Sequence, residues 1–330
     1  MLERLADNIT IVAQTPDLDC GSIDVVVTIP TFRRPAHLLR TLESVHNQQT
    51  ALRVAIIVME NEAQDRAGAQ AASPLFAAGE RTGLVIIAHD RGNCNAYNAG
   101  WVTALAKFEN ALFIAVIDDD ELADPQWIEQ LTACQKIHNV AFVGGPQLPV
   151  FEGNPPQKWR KHPVFTPHYG ATGPVDILYS SGNLLLTTDV LRTMSRPFLD
   201  LAFNFTGGGD ADFMRRAKAE GYTFAWCKEA AVRETIPENR VTRAWITSRA
   251  LRNGQLSALI EHRARQGTSG ARFKTIAHSL VLALASVPRA AIKLVTTRSV
   301  LSALYPIHIA AGRLASEFGY ANEQYRNPQD

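Results

Sequence analysis

Short, strongly apolar runs alternate with helical segments through residues 23–144, and this alternation limits the possible folds most. The run IDVVVTI at residues 23–29 is rich in β-branched residues, as a buried strand is. Helical spacing follows at Leu38, Leu42 and Val45. This order predicts an α/β fold, a mostly parallel sheet with helices on both faces. We expect strands at residues 23–29, 53–59, 84–88, 112–117 and 140–144, and helices at 95–108 and 212–220.

Composition excludes several other classes of protein. Of 330 residues 46% are hydrophobic and 20% charged, which is enough to bury a large core and too apolar for a disordered chain. The four cysteines are isolated, so neither a disulfide framework nor a structural zinc site is expected, and a reducing compartment suits them. The first residues lack a basic-then-apolar pattern, so no signal peptide is expected.

Charge divides the chain into two parts. Residues 1–240 carry a net charge of −7 and residues 241–330 one of +8, and no acidic residue occurs from 262 to 316. We expect a catalytic domain at 1–240 and a basic, amphipathic helical extension at 241–330 that lies on an anionic membrane surface. An ordinary helical extension with a basic face is the alternative. The uncharged stretches 275–288 and 299–312 are shorter than the about 20 residues of a spanning helix.

Four consecutive carboxylates follow the strand at 112–117: Asp118, Asp119, Asp120 and Glu121. Such crowding of like charge favours a bound cation, and Mg²⁺ or Mn²⁺ prefers carboxylate oxygens shared with substrate phosphates. A solvated turn before a helix is the alternative. The cluster alone does not distinguish glycosyl transfer from nucleotidyl transfer or phosphate hydrolysis.

A second acidic element is the segment GGGDADF at residues 207–213. Its glycines allow the backbone to approach a ligand closely. Asp210 follows them at the expected start of a helix and is a candidate general base. A flexible loop with an aspartate at the helix N-terminus is the alternative.

Together the motifs PTFRRP at 30–35, IDDDE at 117–121 and GGGDADF resemble the family 2 glycosyltransferases of GT-A fold. Residues 231–255 further resemble bacterial exopolysaccharide glucosyltransferases of the succinoglycan type. The resemblance implies inverting transfer of a hexose, glucose from UDP-glucose, with Mg²⁺ or Mn²⁺. The basic, apolar extension fits a lipid-linked saccharide as acceptor, so we expect exopolysaccharide or cell-surface glycan synthesis at the cytoplasmic face of the cell membrane. Nucleic acid is not an expected partner.

The resemblance also implies roles for individual residues. Asp120 would bind the metal, and Asp210 would accept the proton of the attacking hydroxyl. The nucleotide sugar would be bound by Pro30, Thr31, Phe32, Arg34, Glu60, Arg91, Asn98, Asp118, Asp119 and Arg240. The acceptor side would include Gly208, Gly209 and Asp212.

Three further candidates come from local sequence. Gly182 and Asn183 follow a short strand in SSGN and are candidates for donor-sugar contact, or form a plain bend. Trp159 lies in the Pro- and Gly-rich stretch 151–175, which we expect to be a loop over the site. Its ring is a candidate to stack on an acceptor sugar, or it anchors the loop.

Several residues depart from the family pattern. Glu60 replaces an aspartate, Gly209 a glutamate, Tyr97 an arginine and Arg233 a histidine. Two other functions therefore stay open at this point. A sugar-phosphate nucleotidyltransferase would need a Gly-rich basic loop after the first strand, which PTFRRP does not provide. A non-catalytic relative that binds nucleotide sugars would tolerate the changes at Gly209 and Glu60.

Overall fold

A computed structural model describes residues 3–6 and 8–319, so part of the N-terminal stretch considered for a signal peptide lies outside it. The chain forms two compact units. The first comprises Met1–Gln147, His168–Phe205 and Gly209–Glu234, and the second Leu148–Pro167, Thr206–Gly208 and Thr235–Asp330. A domain boundary at residue 240 stays a prediction.

The strands confirm the predicted α/β pattern. Each predicted apolar run forms a strand whose bounds differ by a few residues at most. In chain order the strands are β1 (Glu3–Ala6), β2 (Ile9–Gln14), β3 (Val25–Thr31), β4 (Val54–Glu60), β5 (Gly83–Ala88), β6 (Phe113–Ile117), β7 (Glu121–Ala123), β8 (Phe142–Gly144), β9 (Gln147–Phe151), β10 (Gly173–Val175), β11 (Asn183–Thr187), β12 (Phe224–Trp226) and β13 (Val232–Ile236).

A ten-stranded sheet in the first unit has the order β1-β2-β5-β4-β3-β6-β11-β8-β12-β10. Its centre is the parallel set β5-β4-β3-β6, in which Val27 pairs with Ile56 on one side and Ala115 on the other. The sheet is mostly parallel, as predicted. Only β2, β10 and β11 oppose the other sheet strands. A separate short pairing sets Arg233 of β13 opposite Leu122 of β7.

Helices of the first unit lie on both faces of this sheet. In chain order, the helices of the two units are α1 (Pro35–His46), α2 (Ala67–Ala77), α3 (Asn93–Lys107), α4 (Trp127–His138), α5 (Gln157–Arg160), α6 (Thr188–Thr193), α7 (Gly209–Ala219), α8 (Arg243–Ala264), α9 (Ala271–Thr297) and α10 (Val300–Glu317). Side chains of α1, α2 and α4 share one apolar core with Val25, Val27 and Ile29 of β3. Helix α3 packs so closely on the other face that a Cβ on Gly100 would lie 1.8 Å from the Met59 sulfur. Because both faces are covered, the central strands are apolar throughout rather than alternating.

In the second unit, α8, α9 and α10 pack against one another around a buried arginine. Arg313 is 2% exposed, and its guanidinium donates to Ser257 and Ser279 and pairs with Glu261. These contacts join all three helices and satisfy a charge that would otherwise be costly to bury.

Helix α9 is the one described helix that is long and apolar enough to cross a membrane, by length and composition alone. Only 6% of the most apolar 18-residue stretch of this helix is buried. The uncharged stretch 275–288, which alone has too few residues to span a membrane, is part of this helix of 27 residues. The expected placement of the extension on a membrane surface stays a prediction.

Candidate active site

The structure brings the PTFRRP loop and the carboxylate cluster together. Strands β3 and β6 are parallel neighbours, so the residues that follow them meet at one edge of the sheet. The hydroxyl of Thr31 donates to Asp119 Oδ2 at 2.8 Å. Arg34 Nη1 donates to Asp120 Oδ2 at 2.9 Å. The first loop thus lies directly on the acidic turn.

The four carboxylates divide into two buried and two accessible groups. Asp119 is 6% exposed and Glu121 is fully buried, whereas Asp118 and Asp120 are partly exposed. Glu121 Oε2 accepts from the Asp118 amide at 3.0 Å, and its Oε1 accepts from Gln147 Nε2 at 2.5 Å. Asp119 and Glu121 therefore shape the turn, while Asp118 and Asp120 are the carboxylates that a ligand can reach.

Burial and mutual repulsion perturb the titration of this cluster. Burial, followed by the charge of Asp120, raises the pKa of Asp118 to about 6 and that of Asp119 to about 7. Burial also raises the pKa of Glu121 well above its usual range. A cation near Asp118 and Asp120 would relieve this repulsion, which is why the arrangement suits one.

Asp210 shares this region with the acidic turn. It lies at the start of α7, where Oδ1 accepts from the Ala211 amide at 2.8 Å and Oδ2 from the Ser181 amide at 3.3 Å. Its charge contributes to raising the pKa values of both Asp118 and Tyr97. The Tyr97 hydroxyl donates to Asp118 Oδ1 at 2.8 Å. The two acidic elements, some 90 residues apart in sequence, are therefore electrostatic neighbours.

An aromatic ring with cations around it lies beside the same loop. The guanidinium carbons of Arg33 and Arg91 each lie 5.0 Å from the centre of the Phe32 ring. Arg33 has φ +59° and pairs with Glu62 at 2.6 Å, which fixes the loop in an uncommon backbone conformation. Phe32 is half-buried and Pro30 is the partly exposed residue of β3, so both are near the surface. Such a group suits an aromatic base and anionic phosphates.

Glu60 does not fit its predicted contact with a nucleotide base. The residue is fully buried, and its two oxygens accept from the amides of Glu62 at 2.9 Å and Ala69 at 3.0 Å. Burial raises the pKa of this carboxyl. A side chain without an exposed atom cannot contact a ligand at the surface, so Glu60 instead ties β4 to the start of α2.

Asn183 also has a packing role rather than the predicted contact with a donor sugar. It is 2% exposed, donates to the carbonyls of Pro146 and Ala230, and accepts from the Trp127 indole at 2.8 Å. All of its polar groups are used within the protein. Its neighbour Gly182 is buried against the acidic turn.

Two other predicted ligands are held by internal contacts. The Asn98 amide donates to the Leu199 carbonyl at 2.8 Å and accepts from the Leu199 amide at 2.9 Å. Asp212 is 6% exposed and pairs with Arg216 at 2.9 Å. Gly209 packs closely, since a Cβ there would lie 2.6 Å from Cys94 Sγ. These contacts position α3 and α7.

The remaining predicted residues belong to the second unit. Trp159 packs on an apolar cluster that includes Phe165 and Ile236, which fits the alternative that it anchors its segment. Gly208 has φ +92°, and Arg240 lies in a 3-10 turn. Roles of Trp159, Gly208 and Arg240 toward donor or acceptor stay predictions.

Sequence analysis missed three residues that organise the acidic turn. Tyr97 was noted only as a departure from the family pattern, and Gln147 and Thr41 were not considered. The Thr41 hydroxyl donates to the carbonyls of Asp119 and Glu121 at 2.8 and 2.7 Å. The one available signal was Tyr97, a polar ring in the helix after RGN. Arg233, which stands where the family pattern has a histidine, forms an ion pair with Asp124 at 3.0 Å.

Replacing Gly182 by alanine is expected to disturb the acidic turn. The added Cβ would lie 2.5 Å from Gln147 Nε2 and 2.9 Å from Asp118 Oδ2, which forces both side chains to move. Overpacking of this kind costs about 1–3 kcal/mol in the free energy of unfolding. Denaturant unfolding measures the loss. The control is Gly170→Ala, where nothing lies within 4 Å of the new Cβ, and equal stability losses would contradict the packing argument.

The raised pKa values predict how stability depends on pH. Folding raises the pKa of Asp119 from its ordinary 3.8 to about 7, so the folded state favours the protonated carboxyl. The stabilising contribution of this group is therefore complete below about pH 4 and is lost as the pH rises through 7. Asp119→Asn removes this titration. Without divalent cation, the free energy of unfolding of the variant minus that of the wild type should increase by roughly 2–3 kcal/mol from pH 5 to pH 8. Denaturant titrations at both pH values measure this, and a constant difference would contradict it.

The donor set fits a divalent cation that shares its coordination with a ligand. Within residues 3–6 and 8–319, no three His, Cys, Asp or Glu side chains converge as a ready metal cage. Mg²⁺ in particular is commonly held by one or two carboxylates plus substrate phosphates. Asp118 and Asp120 can supply such carboxylates, and Arg34 now balances the charge of Asp120.

Comparison with known proteins gives a consistent assignment. Residues 26–196 match the profile of "Glycosyl transferase family 2". The chain is 29% identical over 285 residues to the succinoglycan biosynthesis protein ExoM of Rhizobium meliloti (strain 1021), covering 81% of this chain and 87% of that protein.

Solved structures of S. aureus TarS share the fold. The fragment 1–349 in complex with UDP has a TM-score of 0.51 at 14% identity, covering 93% of this chain and 92% of that one. A second TarS structure also gives 0.51, at 12% identity, over 90% of this chain and 55% of that one. The family match exceeds half of the chain and extends through both β3 and the acidic turn. This chain is a glycosyltransferase of GT-A fold and belongs to glycosyl transferase family 2.

Proposed function

We propose that this protein moves a hexose, glucose from UDP-glucose, onto a lipid-linked saccharide with inversion at the anomeric carbon, in exopolysaccharide or cell-surface glycan synthesis. The observation that carries the proposal is the location of Asp118 close to both Asp120 and Asp210, whose charges each contribute to raising its pKa. Two similarities narrow it. The relative ExoM takes part in succinoglycan biosynthesis, and the TarS structure contains UDP.

The nucleotide diphosphate would bind where the first loop meets the acidic turn. Asp120, with Asp118 beside it, would hold Mg²⁺ or Mn²⁺, which neutralises charge on the leaving diphosphate. Arg34 is 2.9 Å from Asp120, so it can turn to a phosphate oxygen when a cation takes over that carboxylate. Phe32, with Arg33 and Arg91 over its ring, would lie beside the uracil. Thr31 and Asp119 hold this arrangement together.

Asp210 would be the general base. Its Oδ1 accepts from the Ala211 amide and its Oδ2 from the Ser181 amide, which fixes the position of the carboxylate. An acceptor hydroxyl beside Asp210 would lose its proton as the oxygen attacks the anomeric carbon. The diphosphate leaves from the opposite face, so the configuration inverts.

The protein would work on the cytoplasmic side of the cell membrane, held at its surface by the basic extension. Helix α9 is apolar and exposed, and its chain segment contains no acid. This combination favours an anionic lipid surface, where a lipid-linked acceptor is also found. Alkaline carbonate extraction of membranes tests the mode of attachment, because a peripheral protein is released and a spanning protein is retained.

A thermal-shift panel of nucleoside diphosphates and nucleotide sugars, with and without Mn²⁺, tests the proposed donor. A ligand that binds only the folded state adds about 2.7 kcal/mol of stability at 100 times its Kd. We expect UDP and UDP-glucose to stabilise the protein strongly with Mn²⁺ and weakly without it. A stronger effect of ADP or GDP would contradict the assigned base, and no effect of any nucleotide would contradict the function.

A further inference from the structure

An apolar groove lies between α9 and α10 in the second unit. Its volume is about 410 Å³, and the aliphatic part of its wall comes from Leu282, Ile292 and Ile309. Tyr305 adds an aromatic ring, and the lining also includes two cationic residues, Arg289 and Lys293. The groove therefore joins an apolar wall to two positive charges.

The cations of the groove have no acidic neighbours on their own helices. No aspartate or glutamate occurs between residues 262 and 316, a stretch that holds all of α9 and nearly all of α10. Lys293 Nζ lies 5.3 Å from the centre of the Tyr305 ring, and burial lowers its pKa. An anion placed here would gain two cations, and none of the residues that line the groove is acidic.

The surface of α9 around the groove is strongly apolar. Leu284 is 79% exposed, Val295 77%, Val287 63% and Val281 61%. An exposed apolar surface of this kind marks an interaction site. A second copy of the chain is a poor occupant, because its own basic helix would repel Arg289, Lys293 and Arg298. An anionic lipid surface satisfies both the apolar face and the charge.

We propose that the groove between α9 and α10 binds one anionic phospholipid, with an acyl chain against Leu282, Ile292 and Ile309 and the phosphate at Arg289 and Lys293. The bound lipid would orient α9 in the plane of the membrane. This site would explain how the protein attaches to the membrane surface, as proposed above, but lipid binding there does not depend on glycosyl transfer. It predicts saturable binding of a single lipid molecule by the isolated protein.

Isothermal titration of the full chain with dihexanoyl phosphatidylglycerol, kept below its micelle concentration, tests the site. We expect saturable binding of one molecule per chain. The double variant R289Q/K293Q should bind roughly 30-fold more weakly, as expected for two lost phosphate contacts. The matched control is R272Q/K274Q, which removes the same charge from exposed positions of α9 that do not line the groove, and it should bind as the wild type does.

Other results would overturn the proposal. Equal losses in both double variants would show diffuse charge attraction, and equal binding of inorganic phosphate would show a simple anion site. Equal binding of dihexanoyl phosphatidylcholine would show that the cations do not select the headgroup. Competition in which a polyprenyl phosphate displaces phosphatidylglycerol completely would assign the groove to an acceptor lipid instead, and lipid-independent dimers in sedimentation would assign it to a second copy.

A second pair of variants tests the apolar wall should R289Q/K293Q fail to fold. Ile292 lines the groove at 63% exposure, whereas Val295 is 77% exposed on the same helix outside it. Ile292→Ser should weaken lipid binding and Val295→Ser should not. Stabilisation of the wild type by UDP and Mn²⁺ is measured in parallel. A wild-type protein that responds to UDP but binds no lipid overturns only the lipid site. A wild-type protein that binds lipid but does not respond to UDP overturns only the proposed function.

Discussion

Replacement of Asp210 by asparagine is expected to lower the rate of sugar transfer by roughly 10²–10⁴-fold, the usual contribution of a general base. The amide cannot accept the proton of the attacking hydroxyl at neutral pH, although it keeps the size of the carboxyl. Binding of UDP with Mn²⁺ should persist, because the diphosphate lies with Asp120 in the proposed arrangement. Transfer from radiolabelled UDP-glucose to membrane lipid extract, measured beside the UDP-dependent thermal shift, separates the two effects.

Asp212→Asn is the matched comparison for this variant. Asp212 lies on the same helix, but its carboxylate is buried and paired with Arg216. Its replacement should lower stability and reduce transfer less than Asp210→Asn does. If Asp212→Asn abolished transfer and Asp210→Asn did not, the assignment of the base would be wrong.

Replacement of Asp120 by asparagine should abolish the stabilisation that Mn²⁺ gives in the presence of UDP. Removing one charge from the pair Asp118 and Asp120 weakens the attraction for a divalent cation and removes the ion pair between Arg34 and residue 120. At a UDP concentration 100 times the wild-type Kd, the lost stabilisation is about 2.7 kcal/mol. Denaturant unfolding with UDP, with and without Mn²⁺, measures it.

Asp124→Asn serves as the control for the loss of one acidic charge near the turn. Asp124 pairs with Arg233 at 3.0 Å and is not part of the proposed cation site. It should keep the Mn²⁺ effect. An Asp120→Asn protein that still responds to Mn²⁺ as the wild type does would contradict a cation at this carboxylate.

The central sheet was predictable because each of its strands is recognisable from its own residues. Phe113–Ile117 is a continuous apolar run and Val25–Thr31 is nearly so, as burial on both faces of a sheet requires. Strand β11 was harder, since its antiparallel position between β6 and β8 depends on pairing of Leu185 with Ala115 and Val143, residues far away in the chain. Local sequence carries no information about such a partner.

The candidate site was predictable where it depends on strand ends, and less so where it depends on burial. Asp118 and Asp120 follow β6, so their location came from the topology of a parallel sheet. Glu60 follows β4 in the same way, but the backbone amides of Glu62 and Ala69 take up its carboxylate. Asn183 is likewise occupied by the carbonyls of Pro146 and Ala230. Residue type alone could not separate the accessible Asp118 and Asp120 from the internally bonded Glu60 and Asn183.

The most direct measurement is the anomalous scattering of Mn²⁺ in crystals of the protein grown with UDP. A manganese peak within coordination distance of Asp120 and of the diphosphate oxygens, with Asp210 facing the sugar side of the same cleft, is the predicted result. A manganese ion and a diphosphate bound away from Asp120, or a cleft from which Asp210 is excluded, would contradict the proposed mechanism.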